Sequence, residues 1–118
     1  MNFSAIAEFE RELKNLSKKY RSLPDDLEGF KKVLTKFPQG TGKHFALIHN
    51  EEKVKIMKAR LFCRYLRGSS LRVIYAYHTE TDTIEFIRFI ELYFKGHKER
   101  EDQNRINLYL KYLHTRIL

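Results

Sequence analysis

The chain is best understood from one segment, Lys53-Val-Lys-Ile-Met-Lys-Ala-Arg-Leu-Phe-Cys-Arg-Tyr-Leu-Arg-Gly-Ser-Ser-Leu-Arg72, which continues as Val73-Ile-Tyr-Ala-Tyr77. Residues 54–62 and 71–78 are rich in β-branched and aromatic side chains, as is typical of strands. A turn-like Arg67-Gly-Ser-Ser separates the two. Because so short a link cannot make a crossover connection, we expect the two strands to pair antiparallel.

The same segment is strongly basic. Residues 53–79 contain seven Lys or Arg and no Asp or Glu, although the rest of the chain mixes the two signs. A positive field concentrated in this way favours an anionic partner, with a nucleic-acid backbone as the first candidate. The alternative is that a small basic domain simply places its solvated faces here.

Strand-like segments also flank this pair. Residues 45–49 and 83–94 have the same composition, and turn-like residues 50–52 and 79–82 connect them to the pair. We therefore expect an antiparallel meander of four strands. Residues 83–94 become apolar almost throughout, which predicts a central strand that is covered on both faces.

Helical periodicity marks the two ends of the chain. Apolar residues at intervals of three and four predict a first helix over residues 4–20, with Ser4 as its N-cap. A second helix is expected from Ser22, as its cap, to the turn that begins at Pro38. The C-terminal helix, predicted over residues 99–115, rests on Ile106, Tyr109, Leu110, Leu113 and Ile117. The expected fold is α+β: a two-helix N-terminal hairpin packed on a four-stranded antiparallel sheet, plus a C-terminal helix.

Composition bounds the class of protein. The 118 residues, 42% of them hydrophobic, suit one domain over residues 1–118, and the net charge is +8. No apolar run approaches the roughly 20 residues of a membrane-spanning helix, and the N-terminus lacks the order of a signal peptide. We therefore expect a soluble cytoplasmic protein with no membrane partner. The single Cys63 and five scattered histidines predict no internal disulfide, no metal site and no cofactor.

Five pieces of the sequence occur in an order that covers nearly the whole chain. They are Phe9-Glu-Arg-Glu-Leu-Lys-Asn-Leu-Ser-Lys-Lys-Tyr-Arg-Ser-Leu23, Asp26, Val54-Lys-Ile-Met-Lys-Ala-Arg60, Leu71-Arg-Val-Ile-Tyr75, and Ile90-Glu-Leu-Tyr-Phe-Lys-Gly96 with Arg105-Ile106 beyond. Together they resemble the RelE/ParE superfamily of toxins from bacterial type II toxin–antitoxin systems. Many members of that family begin with a strand before the first helix, and here Met1-Asn-Phe leaves room for a stub at most.

The resemblance implies one of three functions. RelE-like members are metal-independent, ribosome-dependent endoribonucleases that cut mRNA through attack of a ribose 2′-hydroxyl on the adjacent phosphate. That reaction needs a base, positive charge for the phosphorane and an acid for the departing 5′-oxygen. ParE-like members instead poison DNA gyrase, and a degenerate member would only bind a partner. Either toxin class implies a cognate antitoxin, which we expect to be an acidic segment that folds over a basic groove.

The resemblance also assigns roles to residues. Arg72 corresponds to a phosphate stabiliser, a lysine of the basic strand to the base or an electrostatic clamp, and Lys95 or His97 to the acid. His97 is the more natural acid near neutral pH. The predicted catalytic residues are Lys58, Arg72, Lys95 and His97. The predicted nucleic-acid contacts are Lys53, Lys55, Arg60, Arg64 and Arg67, with Tyr93 and Tyr109 as stacking aromatics.

One feature of the basic strand is awkward for a simple half-buried strand. Lys58 and Arg60 share their register with Val54 and Ile56, so basic and apolar side chains should emerge on the same face. Either a bulge switches the faces between them, or the open face of the sheet is itself basic. An RNA-binding surface would need the second arrangement.

Overall fold

A computed structural model describes residues 1–116, which form a five-stranded mixed sheet and three helices. The α+β class is therefore confirmed. Ile117, expected on the C-terminal helix, lies outside the described residues. The elements are β1 Asn2–Ala5, α1 Ala7–Lys19, α2 Leu23–Lys36, β2 Phe45–Asn50, β3 Val54–Cys63, β4 Gly68–Thr79, β5 Glu85–Phe94 and α3 Gln103–Arg116, with short 3-10 turns at Gly42–His44 and Arg64–Leu66. No helix within this part of the chain is long and apolar enough to cross a membrane.

The four predicted strands form the expected meander. The sheet order is β1-β5-β4-β3-β2, and the pairs β2 with β3, β3 with β4 and β4 with β5 are antiparallel. β5 lies inside the sheet between β1 and β4, with Ile87 and Phe89 buried on one face and Ile90 and Tyr93 on the other. The prediction of a central strand covered on both faces is confirmed.

The expectation of only four strands was wrong, because residues 2–5 form a fifth. β1 pairs parallel with β5, and Phe3 stacks on Phe89 with ring centroids 6.1 Å apart. The predicted N-cap Ser4 is therefore a strand residue, and its Oγ accepts a hydrogen bond of 3.0 Å from Arg88 Nε. The first helix begins at Ala7 instead, with Ile6 in the N-cap position.

Helices α1 and α2 cover one face of the sheet. Their apolar side chains join the odd-numbered residues of β3 and β4 in one core. Ser22 occupies the N-cap position of α2, as predicted, but its side chain makes no capping hydrogen bond to a backbone N–H of the helix. Its hydroxyl instead donates to Asp26 Oδ2 (2.6 Å) and accepts from the Tyr65 backbone N–H (2.9 Å), so it ties α2 to the chain that follows β3. The main members of this core are Phe9, Leu23, Leu27, Phe30, Leu34, Met57, Ala59, Leu61, Val73, Tyr75, Ile87, Phe89 and Leu92.

Helix α3 covers part of the opposite face. Ile106, Tyr109 and Leu110 pack there against even-numbered residues of β3 and β4. The helix begins at Gln103, later than the predicted residue 99, because Asp102 caps it: Asp102 Oδ1 accepts from the Arg105 N–H at 3.0 Å. The buried Glu91 fixes this end further, since its carboxylate accepts from the Asp102 N–H (2.8 Å) and from Lys98 Nζ.

Candidate nucleic-acid interface

The register of β3 settles how its basic and apolar side chains are arranged. β3 pairs with β4 without interruption from Val54↔His78 to Leu61↔Leu71, and the register shifts only after Leu61. The β2–β3 pair has a register shift opposite Ile56 and Met57, but its extra residue, Ile48, belongs to β2, so β3 itself keeps its alternation. Ile56 and Lys58 therefore emerge on the same face. α3 covers the Val54 and Ile56 end of that face and leaves the Lys58 and Arg60 end uncovered. The open face of the sheet is basic.

The uncovered end of this face forms a cleft of about 240 Å³, which we call the basic cleft. Its lining brings together four residues that the sequence had nominated, Lys58, Arg60, Arg72 and Lys95. No carboxylate belongs to the lining among the described residues. The complete lining is Lys43, His44, Phe45, Ala46, Lys58, Ala59, Arg60, Arg72 and Lys95.

Arg72 is the most firmly held cation of the basic cleft. Only 7% of its surface is exposed, and Nη1 donates to the carbonyl oxygens of Ser69 (2.5 Å) and Leu71 (3.2 Å). Burial and the nearby charge of Arg60 lower the pKa of the Arg72 guanidinium, which still stays charged near neutral pH. The side chain is thus a fixed positive charge whose position is set before any ligand arrives.

Lys58 is positioned by an ion pair with the segment that leads into α3. Its Nζ donates to Glu101 Oε1 at 2.9 Å, and both side chains are partly buried. Burial lowers the pKa of Lys58, but the hydrogen bond to Glu101 and the charges of Glu101 and Tyr93 outweigh it, so the net shift is upward. With a raised pKa, Lys58 is suited to act as a positive clamp rather than as a base.

Lys95 and His97 follow β5 but lie in different surroundings. Lys95 is exposed, lines the basic cleft, and is held at the sheet by a backbone N–H bond of 2.9 Å to the Ser70 carbonyl. His97 is not part of the lining. Its ring packs edge-on against Phe94, with ring centroids 4.9 Å apart. The backbone N–H of His97 donates to the Phe94 carbonyl oxygen at 3.0 Å.

Four other predicted nucleic-acid contacts are spread away from the basic cleft. Lys53 and Lys55 lie at the opposite end of β3, and Lys55 shares a face with Met57, not with Lys58. Arg64 is engaged by α2, with Nε donating to Asp26 Oδ1 (3.0 Å). Arg67 caps the 3-10 turn after β3 in the left-handed conformation, with φ 53°. None of these four lines the basic cleft.

The two predicted stacking aromatics are buried between α3 and the sheet. Tyr109 belongs to the core on that face, and its hydroxyl lies 2.6 Å from His78 Nε2. Tyr93 is buried in the same core, and Lys98 Nζ lies 5.5 Å from its ring centroid. Neither ring presents a solvent-facing surface on which a base would stack.

Two residues of the basic cleft were missed by sequence analysis. Lys43 and His44 occupy the 3-10 turn Gly42–His44 that leads into β2, which pairs with β3 from Phe45↔Ala59. That pairing delivers the turn beside Arg60. The sequence contained one usable signal, the basic Lys43-His44 pair at the start of an edge strand next to the basic strand.

Comparison with known proteins returned no match. No protein-family model, no curated protein and no solved structure matches the chain significantly. The RelE/ParE resemblance, which rests on local sequences and their order, therefore stays a prediction. Within residues 1–116, no three His, Cys, Asp or Glu side chains are grouped so that they could hold a metal ion together.

Proposed function

We propose that the chain is a toxin of the RelE/ParE type that acts as an endoribonuclease, with the scissile phosphate bound in the basic cleft. One observation carries the proposal. Five Lys or Arg side chains and one His converge on a single cleft at the uncovered end of the sheet, although they come from four separate segments of the sequence. Convergence of this kind is what recognition of a phosphodiester requires, and a merely solvated basic face does not need it.

The electrostatic part of the reaction follows from the placement of the cations. Attack of the 2′-oxygen on phosphorus adds negative charge to the phosphoryl oxygens, and fixed cations stabilise it without reorganising. Arg72 is held rigidly by two carbonyl oxygens, and Lys58 stays protonated beside Glu101. Since protein cations supply the charge, the proposed cleavage step needs no metal ion of its own.

The proton transfers need a group that can both accept and donate a proton, and an imidazole can do both. His44 is the histidine of the basic cleft, and it takes the place that the resemblance gave to His97. In the proposed reaction the 2′-oxygen forms a bond to phosphorus while the bond from phosphorus to the 5′-oxygen breaks. The 2′-hydroxyl loses its proton and the departing 5′-oxygen gains one, so the products are a 2′,3′-cyclic phosphate and a 5′-hydroxyl. His44 serves one of these transfers and Lys95 adds positive charge.

The test is a reconstituted translation reaction with one defined message, with and without ribosomes, in which RNA ends are mapped by primer extension. We expect ribosome-dependent cuts that fall by about a hundredfold or more in His44→Ala, in line with the loss of one proton-transfer group. Lys95→Ala should also be impaired, because it removes a positive charge from the lining of the basic cleft. Since the Lys95 side chain is exposed, the fold should be unaffected.

Two matched controls make the assay specific to the basic cleft. Lys14→Ala removes an exposed lysine from α1, and His97→Ala removes the histidine outside the cleft. Both should cut like the unchanged protein. Full cleavage by His44→Ala and Lys95→Ala would place the active site elsewhere. An intact message combined with DNA breakage by purified gyrase would favour a ParE-like toxin, and two negative assays would favour a binding-only role.

The proposed function implies two anionic partners and a cellular location. An mRNA substrate on the ribosome requires a cytoplasmic protein. A cognate antitoxin should present carboxylates to the basic cleft, because the lining has positive side chains and no acid among the residues described. Binding of either anionic partner should weaken steeply with added salt.

A further inference from the structure

A second and larger groove opens between α2 and the end of β3, with a volume of about 870 Å³. We call it the α2 groove. Its walls are largely apolar, and two apolar side chains that line it are unusually exposed, Phe62 at 57% and Val33 at 43%. Phe30, Phe45 and Leu61 complete the apolar surface. Exposed apolar surface of this kind, set in a concave site, marks a place where a ligand binds.

The strand beside the α2 groove has an open edge. β2 begins at Phe45, which is opposite Ala59, so among the described residues no strand pairs with Arg60–Cys63 on that side. The backbone N–H and C=O groups on the open side of this stretch remain available to a ligand. The groove therefore combines aromatic surfaces with backbone donors and acceptors.

The α2 groove is continuous with the basic cleft. His44, Phe45 and Arg60 line both cavities, so a ligand anchored by its phosphate in the basic cleft has direct access to the groove. The far wall of the groove presents two exposed carboxylates, Asp25 at 84% and Glu28 at 65%. Each has a cation beside it, Arg64 at 3.6 Å from Asp25 and Lys31 at 2.8 Å from Glu28. A paired carboxylate keeps lone pairs that can accept a further hydrogen bond, so this wall offers acceptors to the edge of a ligand.

We propose that the α2 groove binds the base of the nucleotide next to the phosphate held in the basic cleft. This inference rests on the proposed function. The sugar–phosphate backbone stays on the Arg60 and His44 side, while the base lies against the exposed Phe62 and turns its edge toward α2. Carboxylates are hydrogen-bond acceptors only, so Asp25 and Glu28 select bases that carry an exocyclic amino group. Adenine and cytosine are therefore preferred over uracil at this position.

Gly29 offers a way to close the groove without damaging the fold. It lies on α2 and lines the groove, and a Cβ added there meets nothing within 4 Å. Since leucine is also a better helix former than glycine, Gly29→Leu should fold at least as stably as the unchanged chain while its side chain narrows the groove and adds no aromatic surface. Gly29→Ala is the matched control, because it makes the same backbone change and leaves the groove open.

The experiment measures binding of four 2′-O-methyl hexanucleotides, which cannot be cleaved: all-adenine, all-cytosine, all-uracil and an abasic hexamer. The expected result is that the adenine and cytosine probes bind at least about fivefold more tightly than the abasic probe, the lower end of what one stacked base contributes. The all-uracil probe should bind more weakly than the adenine and cytosine probes and more tightly than the abasic probe. Gly29→Leu should bind all four like the abasic probe, and Gly29→Ala should keep the differences.

Each contrary result has a distinct meaning. Equal, salt-dependent binding of all four probes would overturn the base site and leave the phosphate-binding cleft intact. A base preference that survives in Gly29→Leu would move the base site out of the α2 groove. If RNA binding is also unaffected in that variant, a peptide strand on the open edge of β3 becomes the occupant to test. Failure of the unchanged protein to bind any probe would overturn this inference, while ribosome-dependent cuts in the translation reaction would still support the proposed function.

Discussion

The face of the sheet that carries α3 has two halves that differ in chemistry although the same strands build both. In the covered half, Val54 and Ile56 of β3 pack under Ile106 and Leu110 of α3. In the uncovered half, the next two side chains of the same strand and face are Lys58 and Arg60. Where α3 no longer covers the sheet, the side chains of β3 on this face therefore change from apolar to basic.

The boundary between the halves is held by polar contacts at the start of α3. Glu91, fully buried, receives hydrogen bonds from the Asp102 N–H and from Lys98. Arg105 pairs with Glu12 of α1 at 2.8 Å, so the helix is also tied to an element on the other face of the sheet. These contacts prevent α3 from sliding over the basic cleft, because a shift would leave buried charges without partners.

The largest expected contrast separates neighbouring positions of β3. Ile56 is fully buried, so Ile56→Ala should lower the free energy of unfolding by about 2–5 kcal/mol through lost burial and a cavity. Lys58→Ala, two residues away on the same face, loses a partly exposed ion pair and should cost no more than about 1 kcal/mol. Urea denaturation of both variants measures the difference. Equal losses would mean that the two halves do not differ in how α3 covers them.

The second expected contrast is between histidines, and it appears as a pH dependence of stability. His78 is buried in the covered half, with its ring stacked on Phe86 at 4.4 Å, and burial followed by the charge of Arg88 lowers its pKa from 6.5 to about 4. Below about pH 6.5 His78 is therefore protonated in the unfolded chain, whereas in the folded chain it stays neutral down to about pH 4. Stability should fall as the pH drops through this window, by up to about 3 kcal/mol.

A pair of variants isolates that effect from the carboxylates that also titrate in acid. His78→Gln keeps a polar partner for the Tyr109 hydroxyl but cannot titrate, so its unfolding free energy should depend less steeply on pH. His97→Gln removes an exposed histidine and should keep the full slope. Thermal unfolding at several pH values between 4 and 7 compares them. Identical slopes for His78→Gln and the unchanged chain would show that His78 is not held neutral.

The contrast between the two halves also explains how far the sequence could be read. Strands β2 to β5 were predicted to within a few residues, because β-branched and aromatic side chains mark the strands and turn-like links mark their ends. The basic end of β3 was recognised from its charge, and Arg72 was singled out by the resemblance. Lys43 and His44 were not, since a 3-10 turn has no periodicity and only the pairing of β2 with β3 brings it to the cleft.

The errors have physical causes of the same kind. β1 has four residues, two of them polar, and is a strand only because β5 offers it a ladder and Phe89 a partner for Phe3. Tyr109 carried a helical spacing that fitted both a core residue and a stacking residue. Its burial against His78 follows from where α3 lands on the sheet, a tertiary feature that spacing does not encode.

The smallest expected effect lies on the boundary itself, where Glu101 neutralises Lys58. Glu101→Gln keeps the size of the side chain and removes its charge, so stability should fall by less than about 1 kcal/mol. The basic cleft gains one uncompensated positive charge, and the pKa of Lys58 should fall because the partner that raises it is gone. Uncleavable RNA should then bind a few-fold more tightly at low salt and with a steeper salt dependence.

Glu99→Gln changes an exposed acid two residues earlier. It is the matched control and should change neither the RNA affinity nor its salt dependence. If Glu101→Gln weakens RNA binding instead, Lys58 needs Glu101 to hold it in position, and the ion pair belongs to the cleft rather than to the boundary of α3.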